Sequence, residues 1–291
     1  MLLAGAAFAL GGCGGATHLA VKPRATVPPT SPYRWLVPTA GAQVAVPLEN
    51  AARGTRSWRL PGPAEDIGGE GRGAVEGYVA AQAVSAGETQ SVYVRAPGAS
   101  TVRVRIYRMG WYGGAGGRLV LESSRLRVAS QRPCAHDPAT GASECDWSPT
   151  LSFAVPRALA SGVYIVKLRA STGAERDCMF VVRSQSPPRL LVQIPTATYE
   201  AYNAWGGDSL YPGGRDRVAA TGTTQGVEVS YDRPYETQTG AGQFFIRDVA
   251  AVRFLERYGY PVGYTTDASL DSDADQLRGV TAFMDVGHSE Y

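Results

Sequence analysis

T-A-T-Y-E-A-Y-N-A-W-G-G-D-S-L-Y, Thr196 to Tyr211, follows the short apolar run Leu190–Ile194. That run is the length of a buried strand and too short for a helix. Three tyrosines, a tryptophan, an asparagine and two acidic residues then crowd into one segment. Gly206-Gly207 breaks any helix there and lets the backbone turn sharply. In α/β sheets, loops leaving the C-terminal ends of strands carry the chemistry. The plainer alternative is an aromatic-rich loop packed beneath a sheet. Choosing between them depends on the chain to either side.

Downstream the pattern is that of alternating helices and strands. Gly242–Ile246 leads into Val249, Ala250, Val252, Phe254, Leu255 and Tyr258, apolar positions recurring at three and four as on an amphipathic helix. Gly259 and Pro261 stop it. Val262–Thr266 reads as the next strand, Ser269–Leu277 as a short helix and Thr281–Val286 as a third strand. Strand, helix, strand, helix, strand predicts a parallel sheet with right-handed crossovers. Only three such strands precede Tyr291, so residues 189–291 read as an α/β domain truncated at its C-terminus.

Upstream the period changes. Val92–Arg95, Val102–Tyr107, Leu119–Leu121, Arg125–Val128, Leu151–Val155, Gly162–Leu168 and Cys178–Val182 are short runs separated by Gly, Pro and Ser. Val102-Arg103-Val104-Arg105-Ile106-Tyr107 alternates cleanly, with Arg103 and Arg105 on the wet face. Residues 66–183 are therefore expected to form an antiparallel β-sandwich, and 184–188, S-Q-S-P-P, a linker. The fold class expected is mixed: a sandwich followed by an incomplete α/β domain with a mainly parallel sheet. Trp111–Arg118 is glycine-rich but lacks the Gly-Lys-Ser/Thr of a phosphate loop, so it reads as a β-turn with two aromatics.

The 291-residue chain is long enough for two domains. At 44% hydrophobic and 19% charged it is ordinary globular material, and a net charge of +2 gives no reason to expect nucleic acid. Residues 1–13, MLLAGAAFALGGC, end in Leu-Gly-Gly-Cys, as a lipoprotein signal does, with Cys13 as the lipidated residue. The apolar run is too short to span a bilayer. Residues 14–65, rich in Pro, Gly and Ala, read as a tether in which Trp35 and Trp58 pin parts to a neighbouring surface. The expected location is outside the cytoplasm, at the cell surface or in the periplasm, held to the membrane only by a lipid. There a disulfide between Cys134 and Cys145 is the natural reading of two cysteines closing a short loop. A zinc site using His136, Asp137 and Cys178 is the competing reading, without a Cys-x-x-Cys to support it.

Ala201-Tyr202-Asn203-x-Trp205-Gly206-Gly207-x-Ser209-Leu210-Tyr211 resembles the signature of the N,N-dimethylformamidase large (beta) subunit-like family. Gly287-His288-Ser289-Glu290-Tyr291 resembles its Gly-His-x-Glu-Tyr motif, and Tyr107–Gly114 is a third match. The likeness runs from about Val75 to the last residue. It implies a mononuclear, ferric iron held by Tyr202, Tyr211 and Glu290, with His288 beside it as the catalytic group. Tyr199, Asn203, Trp205 and Asp208 would lie near the site. It also implies hydrolysis of a C–N bond in a small amide, with a small partner subunit as in the type enzyme, or a homo-oligomer. The residues alone agree on the type of metal: phenolate and carboxylate oxygens from Tyr199, Tyr202, Tyr211, Glu200, Asp208 and Glu290 are hard ligands that suit ferric iron.

Two other readings compete. One is a non-catalytic surface protein whose sandwich binds glycan or protein. The other is a serine hydrolase, because Gly287–Tyr291 approximates a Gly-x-Ser-x-Gly elbow with Ser289 as nucleophile. Tyr291 occupies the final glycine position of that motif.

Overall fold

The alternating run at 102–107 belongs to a nine-residue strand that is the centre of the architecture. A computed structural model describes residues 31–61, 73–211, 225–236 and 239–291. Cys13 and the expected signal lie outside the described residues. In chain order come β1 (Tyr33–Trp35), α1 (Val46–Asn50), β2 (Glu76–Val79), β3 (Ala83–Val84), β4 (Thr89–Arg95), β5 (Thr101–Met109), β6 (Gly117–Ser123) and β7 (Leu126–Arg127). The short pair β8 (Ala135–His136) and β9 (Ser143–Glu144) follows, then β10 (Pro149–Ala154), β11 (Gly162–Ala170) and β12 (Glu175–Val182). The last part holds β13 (Leu190–Ile194), α2 (Thr196–Ala201), α3 (Phe244–Arg247), α4 (Val249–Arg257), β14 (Val262–Thr266), α5 (Asp267–Ser272) and β15 (Ala282–Asp285). The class is mixed α and β, mostly strands with few helices.

One sheet runs β1-β6-β5-β11-β12-β3, with β7 also on β5. All its pairs are antiparallel except β12 with β3. A three-stranded antiparallel sheet, β10-β4-β2, shares an apolar core with it: Val92, Val94, Leu151 and Phe153 meet Val104, Ile106, Val166 and Phe180. The sandwich expectation therefore holds in part, since two sheets share a core but the larger one is mixed. The third sheet, β14-β13-β15, is parallel throughout.

The larger sheet has a core on each face. Tyr164, Val166 and Leu168 of β11 enter the first core, while Val163 and Ile165 enter a second one with Val192, Ile194, Phe244, Val252 and Tyr264. That is why Val163–Val166 reads as an unbroken apolar run and not as an alternation: both faces are covered there. Helix α4 follows its periodicity and ends before Gly259, whose φ of 71° suits glycine. The helix expected at 269–277 appears as α5, capped by the Thr266 hydroxyl accepting from Ser269 N–H, and a 3₁₀ turn at Ala274–Leu277.

Residues 32–61 do not run as a free spacer. β1 pairs with β6, and the Trp58 ring stacks on Phe245 at 5.4 Å. The Asn50 side-chain oxygen accepts from the N–H groups of Trp111 and Tyr112. Aromatic side chains supply anchoring area that the Pro-rich composition hides. Pro32–Tyr291 forms one compact unit.

Cys134 and Cys145 are bonded, and Cys178 is a buried free thiol. The zinc reading fails: His136 faces Ser143 (3.1 Å) and Asp208 (3.6 Å), and among the described residues no three His, Cys, Asp or Glu side chains are placed to hold a metal. Closing an 11-residue separation should stabilise the fold by about 2–3 kcal/mol through loop entropy. Urea unfolding of Cys134→Ser/Cys145→Ser should show that loss, and an unchanged midpoint would contradict it.

The Tyr107–Gly114 motif forms the joint between the larger sheet and α4. Fully buried Arg108 donates to both Glu256 oxygens (2.8 and 3.0 Å), to the Ser161 carbonyl (2.7 Å) and to the Tyr112 hydroxyl (3.1 Å). Tyr264 O–H donates to Glu256 at 2.8 Å, and Asn50 donates to its other oxygen. A Cβ on Gly110 would stand 2.2 Å from Glu256 Oε2, and one on Gly162 2.8 Å from Arg108 Nε, so both glycines make room for this pair. The Trp111 ring lies under Arg253 and Arg257 of α4 at 5.7 and 4.8 Å.

Candidate active site

The central strand β13 and the edge strand β15 run parallel and side by side, so the segments leaving their C-terminal ends emerge together. From β13 the chain turns into α2, which places Tyr202 at its C-terminal cap, and then loops on to Tyr211. From β15 it runs through Gly287 to Tyr291. The two segments meet on Glu290, whose backbone N–H donates to the Thr198 hydroxyl of α2 at 2.9 Å.

The Glu290 carboxylate is the hub. Tyr202 O–H lies 3.1–3.2 Å from its two oxygens, Tyr211 O–H donates to Oε2, and His288 Nε2 sits 2.6 Å from Oε1. The Tyr202 and Tyr211 rings stack at 4.1 Å, and His288 leans on Tyr202 at 5.1 Å. Tyr291 O–H donates to Tyr211 Oη at 3.2 Å. Two phenols, one carboxylate and one imidazole thus converge, partly open to solvent.

The protonation balance follows from that geometry. Hydrogen bonds from Tyr211, then His288 and Tyr202, hold the Glu290 carboxyl below its ordinary range. Glu290, followed by Tyr291 and Tyr202, pushes the Tyr211 phenol well up. Burial, with Glu290 adding to it, raises Tyr202. The cluster is one anion sharing hydrogen bonds with neutral phenols, and a bound cation would reverse the preference by favouring phenolate. Three oxygen donors and one nitrogen, all about the Glu290 carboxylate, therefore fit a hard metal ion.

The remaining expected residues are near but not in this cluster. Tyr199 is buried and donates to Asp248 Oδ2; burial raises the Asp248 carboxyl to about 6, and its Oδ1 is buried without a partner. A Cβ on Gly287 would meet that Oδ1 at 2.8 Å, so Asp248 sits against the Gly287 turn. Asp208 pairs with His136. Asn203 and Trp205 are buried supports. Asn203 Nδ2 donates to Glu200 Oε1 (3.0 Å) and to the Pro234 carbonyl, while Trp205 Nε1 donates to Glu76 (3.0 Å).

Glu200 is held away from the Glu290 cluster by Arg233, whose Nε lies 2.5 Å from Glu200 Oε1. Arg233 also donates to the carbonyls of Trp205 and Asn203 at 3.0 Å, so it stiffens the backbone between the two site tyrosines. Arg233, Asp248, Thr198 and Tyr291 were not anticipated as site residues. Tyr291 carries a sequence signal as the last residue of the Gly-His-x-Glu-Tyr motif, and Thr198 lies within the Thr196–Tyr211 stretch.

The serine-hydrolase reading loses its geometry. Ser289 Oγ accepts from Gln193 Nε2 at 3.2 Å, and His288 is turned to Glu290. Among the described residues other than glycine only Tyr112 has a positive φ, so Ser289 is not at a strained elbow.

A family model described as N,N-dimethylformamidase beta subunit-like, C-terminal, matches residues 103–291. Among solved structures, the Pseudomonas fluorescens alkylpurine DNA glycosylase AlkC bound to DNA containing an abasic site analog is similar at 12% identity, over 38% of this chain and 31% of that chain, with a TM-score of 0.22. A likeness that slight carries no argument about fold or function. No curated protein matches this sequence.

Proposed function

The chain belongs to the N,N-dimethylformamidase beta subunit-like family, and on that premise we propose that it is an iron-dependent amidohydrolase cleaving the C–N bond of a small amide. The observation that carries this reading is the convergence of Tyr202, Tyr211 and His288 on Glu290. In this reading the two sheets with a shared core are a β-sandwich, and the parallel sheet with its helices is the α/β part that bears the site.

Tyr202, Tyr211 and Glu290 would hold the ion. A ferric ion there would polarise the amide carbonyl and acidify a water. The chain's own groups do the rest. His288, whose Nε2–H is held by Glu290, takes the proton of the attacking water at Nδ1, the ring nitrogen left without a partner, and returns it to the leaving nitrogen, so amide and water become carboxylic acid and amine. Thr198 and Tyr291 fix the hub and one phenol, which keeps the donors from collapsing outward. Arg233 holds the Asn203–Trp205 backbone, so the tyrosine spacing does not breathe.

The direct test is hydrolysis of formamides by protein reconstituted with ferric iron, compared with His288→Ala. Loss of turnover with iron retained supports the reading. Unchanged turnover in His288→Ala removes His288 from it, and no hydrolysis of any small amide removes the reaction. The beta-subunit family name extends the proposal to a small partner subunit or a homo-oligomer.

The proposal also keeps Cys13 as a lipidated anchor at a membrane face outside the cytoplasm. Supplied with a basic n-region, the protein should partition into detergent, and Cys13→Ser should release it. A wild type that stays wholly in the aqueous phase would contradict that.

A further inference from the structure

The face of the larger sheet that covers the second core does not stay apolar to its other end. Tyr107, Val163, Ile165 and Val181 lie in that core. Further along the same face the odd-numbered positions become Arg103 and Arg105 of β5, Lys167 and Arg169 of β11 and Glu175 of β12. Register puts Arg103 directly opposite Arg169, and Arg105 directly opposite Lys167. Like charges directly opposed across strands destabilise a sheet. Two such pairs side by side are a cost that folding alone does not require.

The carboxylates present do not balance these cations. Arg34, Arg103 and Arg105 share Glu122 (3.4, 3.7 and 2.8 Å). Lys167 and Arg169 share Glu175 (2.8 and 3.3 Å). Arg125, exposed beside them, pairs with no carboxylate among the described residues. Asp177, opposite Lys167, is fully buried, and burial raises its carboxyl well above the usual range. Arg103, Arg105, Arg125 and Arg169 line one cavity of about 340 Å³, together with Thr101 and Ser171. Ser171 Oγ accepts from the N–H groups of Ser100 and Thr101 (3.1 and 3.4 Å), which leaves its own hydrogen free to donate into the cavity.

We propose that this cavity is a binding site for a small ligand carrying two or more oxyanion groups. Planar guanidinium forks match phosphate, sulfate and carboxylate oxygens, and four converging forks exceed what one monovalent anion can use. The volume is that of a small-ligand pocket and not of a flat macromolecular face. The site is made by β5, β11 and the segment before β7, and shares no residue with the Glu290 cluster, so it stands whether or not the proposed reaction does.

The test is calorimetric titration of the full chain, stripped of metal, in low salt. One arm uses inorganic pyrophosphate and the other a trisulfated disaccharide; whichever binds identifies the source of the oxyanions. At least one should bind with unit stoichiometry and weaken as salt is added. Arg125→Ala/Arg169→Ala should weaken it by roughly tenfold or more, with an unchanged circular dichroism spectrum. Arg132→Ala/Arg278→Ala, which removes two exposed arginines from elsewhere, should leave it intact. Failure of both ligands overturns the proposal, and so does an equal loss in the two double variants. Binding seen only after Glu65→Gln/Asp66→Asn/Glu70→Gln would assign the cavity to the chain's own acidic segment and overturn it as well.

Discussion

Replacing Arg108 by Met should lower the unfolding free energy by about 3–5 kcal/mol, the cost of stranding one partner of a buried ion pair. The residue left behind is Glu256, which is fully buried and would keep only the Asn50 and Tyr264 donors. The Ser161 carbonyl and Tyr112 hydroxyl would lose a donor too. Arg108→Met/Glu256→Gln should recover much of the loss, because the uncompensated charge then goes with the guanidinium. Chemical denaturation of the single and double variants measures both effects. A single variant within 1 kcal/mol of wild type, or a double variant worse than the sum of the singles, would show that the joint does not depend on this pair.

The second large effect is expected at the hub. Glu290→Gln preserves shape and hydrogen-bonding capacity at one oxygen but removes the anion that gathers Tyr202, Tyr211 and His288. Iron affinity should fall by more than the roughly 10–100-fold typical of losing a supporting partner, because the change strikes a proposed ligand itself. Tyr202→Phe and Tyr211→Phe each delete one oxygen and keep the ring stack, so the fold should survive and the metal should not. Ser289→Ala should leave iron untouched, since among the described residues its hydroxyl meets only Gln193. Metal content by mass spectrometry reads all four, with thermal melting as the control for folding. Full iron in Glu290→Gln would remove Glu290 from the ligand set.

Those two predictions rest on parts of the molecule that were unequally visible in the sequence. The strands were legible where one face is wet and the other buried, as at Val102–Ile106, and helix α4 was legible from its apolar spacing and its stop at Gly259. The parallel sheet was legible from the change of period after Pro188. What stayed hidden were partners far apart along the chain. Nothing near Arg108 announces Glu256, 148 positions later. Nothing near Glu200 announces Arg233, which turns an apparent oxygen ligand into half of a buried ion pair. Among the six oxygen donors of the two segments, residue type does not separate Tyr202, Tyr211 and Glu290 from Tyr199, Glu200 and Asp208. The separation comes from Asp248, Arg233 and His136, each supplied by a distant segment. The family motifs made that separation in advance, because they carry the result of the fold without its cause. Residues 32–61 were hidden for a different reason. Their proline content argues against regular structure, and yet Trp35 and Trp58 anchor them through ring packing that composition does not express.

In the proposed reading Tyr202 and Tyr211 are phenolate ligands of one ferric ion, gathered with Glu290 at the ends of β13 and β15. The most direct measurement is the visible absorption spectrum of the protein titrated with ferric iron under conditions that keep the free ion soluble. A phenolate-to-iron charge-transfer band is expected that saturates at one ion per chain, weakens or vanishes in each tyrosine-to-phenylalanine variant and is absent when both are changed. A colourless iron-saturated wild type, or a band that persists in Tyr202→Phe/Tyr211→Phe, would contradict it.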